Sequence, residues 1–141
     1  MVTLLFLWEV LSLRNNYLIK GLNVLVQKIN ANKIPGIHDK NTSLILIDVR
    51  EEDEFFSVSS PYARNFPLSS LDVEEVLKSL RLNLFETEVS LYFICQTGRR
   101  SLIAAEKFFH AGYKNIYNIE GGMVRWQELK LPVQHNKKIK E

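Results

Sequence analysis

The chain has 141 residues, 46% of them hydrophobic and 24% charged, with a formal net charge of +2. That describes one ordinary globular domain, and the small, interspersed charge gives no argument for nucleic acid as a partner. A single cysteine, Cys95, excludes an internal disulfide and a cysteine-based zinc site, and makes a reducing compartment (cytoplasm or an organelle stroma) the expectation.

The chain opens with "MVTLLFLWEVLSLR". This apolar run is interrupted by Glu9 and falls short of the roughly 20 residues of a membrane span. A secretory signal needs a positive start and a small-residue cleavage site, and neither is visible. Leu4, Leu7, Trp8 and Leu11 recur at helical spacing, which predicts an amphipathic helix in an N-terminal extension, residues 1–16. An interface, or the edge of a longer parent chain, are the other readings of this segment. Next, "GLNVLVQKINANK" places Leu22, Leu25, Val26 and Ile29 on one helical face, and the stretch "NANKIPG" ends that predicted helix. "SLILIDVR" is a continuous apolar run closed by charge, as in a strand buried on both faces. In "DVEEVLKSL", Asp72 and Glu75 have the spacing of a capping box, followed by a helical repeat at Val73, Val76, Leu77 and Leu80. "VSLYFI" predicts a second buried strand, and "SLIAAEKFFHAG" a helix with Leu102, Ala105 and Phe109 on its face and Gly112 as C-cap. "NIYNI" predicts a third strand and "GGMVRWQEL" a last short helix. The tail "NKKIKE" is basic and expected to be disordered, placing the domain at 17–133 and the tail at 134–141.

Strands alternating with helices predict an α/β domain around a mainly parallel sheet, whose site lies beyond the carboxyl ends of the strands. Asp48 and Cys95 both fall there. The segment "CQTGRRS" joins a strand to a helix N-terminus, where open N–H groups and the positive dipole end favour an anion. Gly98 lets the backbone curl into a nest of donors, Arg99 and Arg100 add charge, and Ser101 is a candidate helix cap. A thiol so placed is expected to ionise below the ordinary value of about 8.5 and to act as a nucleophile. His38, His110 and His135 have no metal-ligand spacing and read as surface or loop residues.

Residues from about Ile19 to Val133 resemble the rhodanese domain, the single-domain sulfurtransferase module. The blocks "LIDVREEDEF" (46–55), "NFPL" (65–68), "CQTGRRS" (95–101) and "AAEKFFHAGYKNIYNIEGGMVRW" (104–126) occur in the family's order. The resemblance implies the rhodanese-like fold, a mainly parallel central sheet with helices on both faces. It also implies that Cys95 accepts sulfane sulfur from a donor such as thiosulfate and passes it from a persulfide to a thiophilic acceptor, with no metal or organic cofactor. In that scheme the loop Gln96, Thr97, Gly98, Arg99, Arg100 and Ser101 binds donor and persulfide, with either arginine able to anchor the loop instead. Asp48 and Arg50 form a scaffold pair, Gly121 and Gly122 allow a neighbouring turn close approach, and Trp126 is core. Where the family carries His-x-Pro-Gly-Ala, this chain has "SSPYA", with Ser59 for the histidine and Tyr62 for the glycine.

Two other functions bear on these residues. Rhodanese-like phosphatases resemble C-x5-R, whereas Arg100 here stands at C-x4-R, a shorter loop suited to one sulfur atom. Rhodanese domains also serve as sulfur-carrier or interaction modules for adenylating enzymes in thiamine, molybdopterin or tRNA thiolation. On either sulfur reading the partners are a small-molecule donor and acceptor or a thiolation-pathway protein, with no nucleic acid and no membrane.

Overall fold

The computed structural model describes residues 26–41 and 43–135. The expected helix over residues 1–16 and the basic residues 136–141 lie outside them. Five strands carry the architecture: β1 (Gln27–Asn30), β2 (Ile45–Asp48), β3 (Ala63–Asn65), β4 (Leu91–Ile94) and β5 (Ile116–Glu120). They form one sheet in the order β1-β5-β4-β2-β3, and every pairing is parallel. Helices α1 (Ile34–Lys40), α2 (Glu52–Ser57), α3 (Val73–Ser79), α4 (Arg99–Ala111) and α5 (Gly122–Glu128) connect or flank them.

Side chains alternate across a strand, so each buried strand feeds two cores. Ile47, Val49, Leu91, Phe93, Cys95 and Ile116 pack with Val76 and Leu77 of α3 and Ala104, Ala105 and Phe108 of α4. Leu46, Tyr92, Ile94 and Ile119 face the opposite way, against Ile34 of α1 and Met123 and Trp126 of α5. Helices thus cover both faces, which explains why "LILID" and "LYFI" read as unbroken apolar runs. Trp126 is fully buried and its indole N–H donates to the Pro132 carbonyl at 2.8 Å. None of the helices among the described residues is long and apolar enough to cross a membrane.

One element departs from the sequence reading. Residues 27–30, expected within a helix spanning 21–33, form the parallel edge strand β1, with Gln27 opposite Tyr117 and Asn30 opposite Glu120. The spacing of Val26 and Ile29 suits a helix face, but pairing with β5 satisfies the backbone over residues where only Ile29 is even half-buried. "NANKIPG", expected to end that helix, instead forms a 3-10 turn at Ala31–Lys33 and runs on into α1. Pro35 sits in the first turn of that helix, where its missing N–H leaves no hydrogen bond unmade.

The caps are local and mostly legible. Asp72 accepts the Glu75 N–H at 3.1 Å and starts α3, while Gly112 ends α4 at φ +119°. The reciprocal capping box is found instead at α2, where Glu51 and Glu54 exchange side-chain and backbone bonds. Ser101 does not cap α4. The N-cap is Gly98 at φ +100°, and Ser101 lies a turn inside with its hydroxyl turned to the site.

The departing segment "SSPYA" has its own support. Ser59 is buried and forms an antiparallel bridge with Gln134, giving its N–H to the Gln134 carbonyl at 3.0 Å and accepting the Gln134 N–H at 2.8 Å. Gln134 and His135, the first residues of the expected tail, therefore pack on the domain, His135 Nδ1 lying 3.1 Å from the Ser57 carbonyl. Tyr62 fits between His38 and Trp126, at ring distances of 4.4 Å and 6.2 Å. Gln134→Pro removes one bridge N–H and is expected to cost about 1 kcal/mol, read from chemical denaturation.

Candidate functional site

β2 and β4 are neighbours whose chain continuations diverge, β2 leading to β3 on one side and β4 to β5 on the other. A crevice beyond the strand ends opens where connections part in this way. Asp48 ends β2, paired in register with Ile94, and Cys95 follows β4 directly. Both expected strand-end residues thus stand at the carboxyl ends of adjacent strands, each buried.

Asp48 and Arg50 are almost completely buried and form a tight pair: Nε lies 3.1 Å from both carboxylate oxygens and a terminal guanidinium nitrogen 2.9 Å from Oδ2. Arg50 also donates to the Val58 carbonyl at 2.7 Å and reaches Gln96 Oε1 at 3.5 Å. Asn65 completes the unit by donating to the carbonyls of both Asp48 and Arg50.

Cys95 is 1% exposed. Its sulfur accepts the Gly98 N–H at 3.1 Å and lies 3.3 Å from Ser101 Oγ. No hydrogen bond among the described residues takes the N–H groups of Thr97, Arg99 or Arg100, so these donors stay open as helix starts leave them. Their direction is set from behind. The Met123 N–H donates to the Cys95 carbonyl at 2.7 Å and the Val124 N–H to the Gln96 carbonyl at 3.1 Å. In a trans peptide the carbonyl and the following N–H point opposite ways, so holding these carbonyls on α5 turns the Gln96 and Thr97 N–H groups away from it.

Two glycines serve this loop for different reasons. Gly98 has φ +100°, which side-chain-bearing residues resist, although a Cβ there would meet only ordinary contacts. Gly122 is a matter of space, since a Cβ would run into the Cys95 carbonyl oxygen and come within 2.7 Å of Gln96 backbone atoms. Gly121, at φ +75°, is the α5 N-cap. Of the two glycines expected to allow close approach, Gly122 is the one against the cysteine loop; a Cβ on Gly121 would meet Arg125 of its own helix.

The two arginines part company. Arg100 turns both terminal nitrogens onto Glu54 of α2, at 2.7 and 2.8 Å. That fork-to-fork pair holds the Glu54 carboxyl at about 2, well below its ordinary 4.5, with the Glu51 backbone N–H helping and partial burial opposing. It raises Arg100 in turn. Arg99 is exposed, with no hydrogen bond or ion pair to it among the described residues. Gln96 and Thr97 line the start of the loop, Gln96 half-buried against Arg50 and Thr97 exposed.

Sequence reasoning missed two residues. Glu54 is one acid of four in "EEDE", and nothing local marks which of them meets Arg100. Asn118 is buried in β5, where Oδ1 lies 2.6 Å from Ser101 Oγ and Nδ2 donates to the Gly98 carbonyl at 3.0 Å. A polar residue in the middle of a buried strand needs a partner, and that was the available signal. Among the described residues no cluster of three or more His, Cys, Asp or Glu could hold a metal ion.

Known proteins resemble this chain in sequence and in fold. The Rhodanese-like domain family matches residues 31–129. Thiosulfate sulfurtransferase 18 of Arabidopsis thaliana is 32% identical over 95 residues, covering 62% of this chain and 69% of that protein. The adenylyltransferase and sulfurtransferase UBA4 of Meyerozyma guilliermondii is 31% identical over 97 residues, 64% of this chain but only 23% of that protein. Among solved structures, the polysulfide-sulfur transferase homodimer of Wolinella succinogenes superposes with a TM-score of 0.65 at 22% identity, covering 92% of this chain and 93% of that one. At that identity the likeness is one of fold.

Because Glu54 ionises at a lower pH when folded, its pairing stabilises the protein above pH 4.5 and the benefit is lost as pH falls toward about 2. The pair is about one-third exposed, so solvent screening holds the effect to about 1 kcal/mol. Glu54→Gln is expected to lower stability by that amount at pH 7 and by almost nothing near pH 2, measured by urea unfolding across the range.

Proposed function

Since this chain belongs to the Rhodanese-like domain family, we propose that it transfers sulfane sulfur through a persulfide on Cys95, taking it from a small anionic donor of the thiosulfate type. The observation that carries the reading is the Gly98 N–H on the Cys95 sulfur, in a loop whose next donors are open. In the first step the Cys95 thiolate attacks the outer sulfur of thiosulfate. The sulfur–sulfur bond of the donor breaks, and sulfite leaves with the electron pair. An anionic Cys95 persulfide remains. In the second step cyanide or a thiolate attacks the terminal sulfur, and Cys95 leaves as thiolate, ready for another turn. Atoms and charge balance without a metal or an organic cofactor. The loop N–H groups hold the negative sulfur throughout.

The division of labour between the arginines follows from their surroundings. Arg99, free on the surface beside the loop, attracts the anionic donor. Arg100, committed to Glu54, fixes the loop to α2. That commitment also weighs against phosphate ester hydrolysis, which needs an arginine wrapped around the transferred oxyanion. The Meyerozyma relative favours a second acceptor class, a carrier protein activated by an adenylating enzyme, served by the same persulfide.

Purified protein is expected to form thiocyanate from thiosulfate and cyanide, and Cys95→Ser to form none. Thiocyanate production by that variant at the unaltered rate would sink the mechanism. Arg99→Ala is expected to raise KM for thiosulfate by about tenfold with little change in melting temperature, whereas Arg100→Ala lowers the melting temperature. A melting loss for Arg99→Ala with unchanged KM would reverse these assignments.

A further inference from the structure

Among the described residues two polar groups touch the Cys95 sulfur, and one side chain holds both. The Gly98 N–H donates to the sulfur at 3.1 Å, and the carbonyl of the same residue accepts Asn118 Nδ2 at 3.0 Å. Ser101 Oγ lies 3.3 Å from the sulfur and 2.6 Å from Asn118 Oδ1. Asn118 stands opposite Phe93 in the sheet register and is 5% exposed. A buried amide is costly unless both ends are paired, and here each end is paired to a residue that meets the nucleophile.

The direction of these bonds can be read from donor and acceptor chemistry. A carbonyl only accepts, so the amide nitrogen of Asn118 must face Gly98 and its oxygen must face Ser101. That oxygen has no hydrogen, so the single hydroxyl proton of Ser101 occupies the 2.6 Å contact. Ser101 therefore turns a lone pair, not its proton, toward the sulfur. A neutral thiol completes the chain by donating S–H to Ser101 Oγ. An anionic sulfur finds only the Gly98 N–H donating to it from this pair.

We propose that Asn118 is the positioning residue of Cys95. It keeps the Ser101 hydroxyl from donating to the thiolate and aligns the Gly98 N–H on it. A thiolate with one fewer hydrogen bond holds its electron pair less tightly and attacks faster. The proposal deepens the sulfur-transfer reading and rests on it for the meaning of the rate, but its chemistry can be measured without it.

Cys95 is the sole cysteine, so alkylation by iodoacetamide reports on one site. The rate is read above about pH 10, where an ordinary thiol is fully ionised. Asn118→Ala releases the Ser101 proton to the sulfur and is expected to slow alkylation several-fold. Adding Ser101→Ala to it removes that proton and should restore most of the rate. Sulfur transfer should follow the same order in kcat, with KM for thiosulfate of the Asn118→Ala protein within twofold of the unaltered one. Should Asn118→Ala not stay folded, Asn118→Val, which fills more of the site than alanine and is suited to a strand, carries the same expectations. Slowing that the second substitution deepens, or no slowing at all, overturns the proposal. The alkylation pattern without any sulfur transfer would overturn the functional reading and leave Asn118 in its role. Sulfur transfer with unchanged alkylation in both variants would do the reverse.

Discussion

An arginine with 2% exposure needs its charge met inside the protein, and Asp48 meets that of Arg50 through three contacts within 3.1 Å. Removing one member of such a pair strands the other, typically at about 3–5 kcal/mol, so the two persist together. The pair orders more than itself. The guanidinium reaches the Val58 carbonyl ahead of "SSPYA" and the Gln96 amide at the start of the cysteine loop, while Asn65 ties the Asp48 and Arg50 carbonyls to β3. The end of β2, beside the strand that leads into Cys95, is thereby built around one buried charge pair.

Besides Asn118 of β5, three contacts grip the loop from that fixed edge onward. Arg50 holds Gln96, Glu54 holds Arg100, and the first turn of α5 takes the carbonyls of Cys95 and Gln96. The α5 contact sets the direction of the Gln96 and Thr97 N–H groups, because it binds the carbonyls opposite them. It is possible only because Gly122 has no side chain. The Glu54 contact is the most exposed of the three and the one that depends on pH. A carboxylate far from the sulfur in sequence thus acts on the loop through its arginine.

How much of this could be read from the sequence depended on range. β2, β4, α3, α4 and the Gly112 cap follow from local periodicity and capping chemistry, and the parallel sheet follows from their alternation. The loop could be recognised because its residues are contiguous. β1 was misread because Leu22, Leu25, Val26 and Ile29 also fit a helix, and four residues on a sheet edge carry too little pattern to decide. What decides is the partner strand β5, some 90 positions later. Glu54 and Asn118 were missed for the same reason. Glu54 is of an ordinary type, and although a polar Asn118 within a strand signals a missing partner, only tertiary contact with Arg100, Ser101 and Gly98 says what each residue does. Ser101 illustrates the converse, since its sequence position suggests a cap until the fold supplies Asn118.

The position of Arg100 bears on what such a loop can bind. An arginine that folds back over the loop supplies a planar pair of donors to an oxyanion, adding to the backbone N–H groups. Here that pair is spent on Glu54, at 2.7 and 2.8 Å, on the α2 side of the loop. The charge left to be stabilised within the cradle must be met by backbone N–H groups, with Arg99 outside it. On the proposed sulfur-transfer reading, a single N–H donor such as that of Gly98 suits a compact, polarisable sulfur anion better than a phosphate dianion with three equatorial oxygens to satisfy. The shorter spacing between Cys95 and Arg100 and the placement of Glu54 act in the same direction. Spacing limits the ring of donors, and the Glu54 pair withholds the guanidinium. Lengthening the loop alone would leave Arg100 on its carboxylate, so a change toward phosphate chemistry requires both features to be altered together.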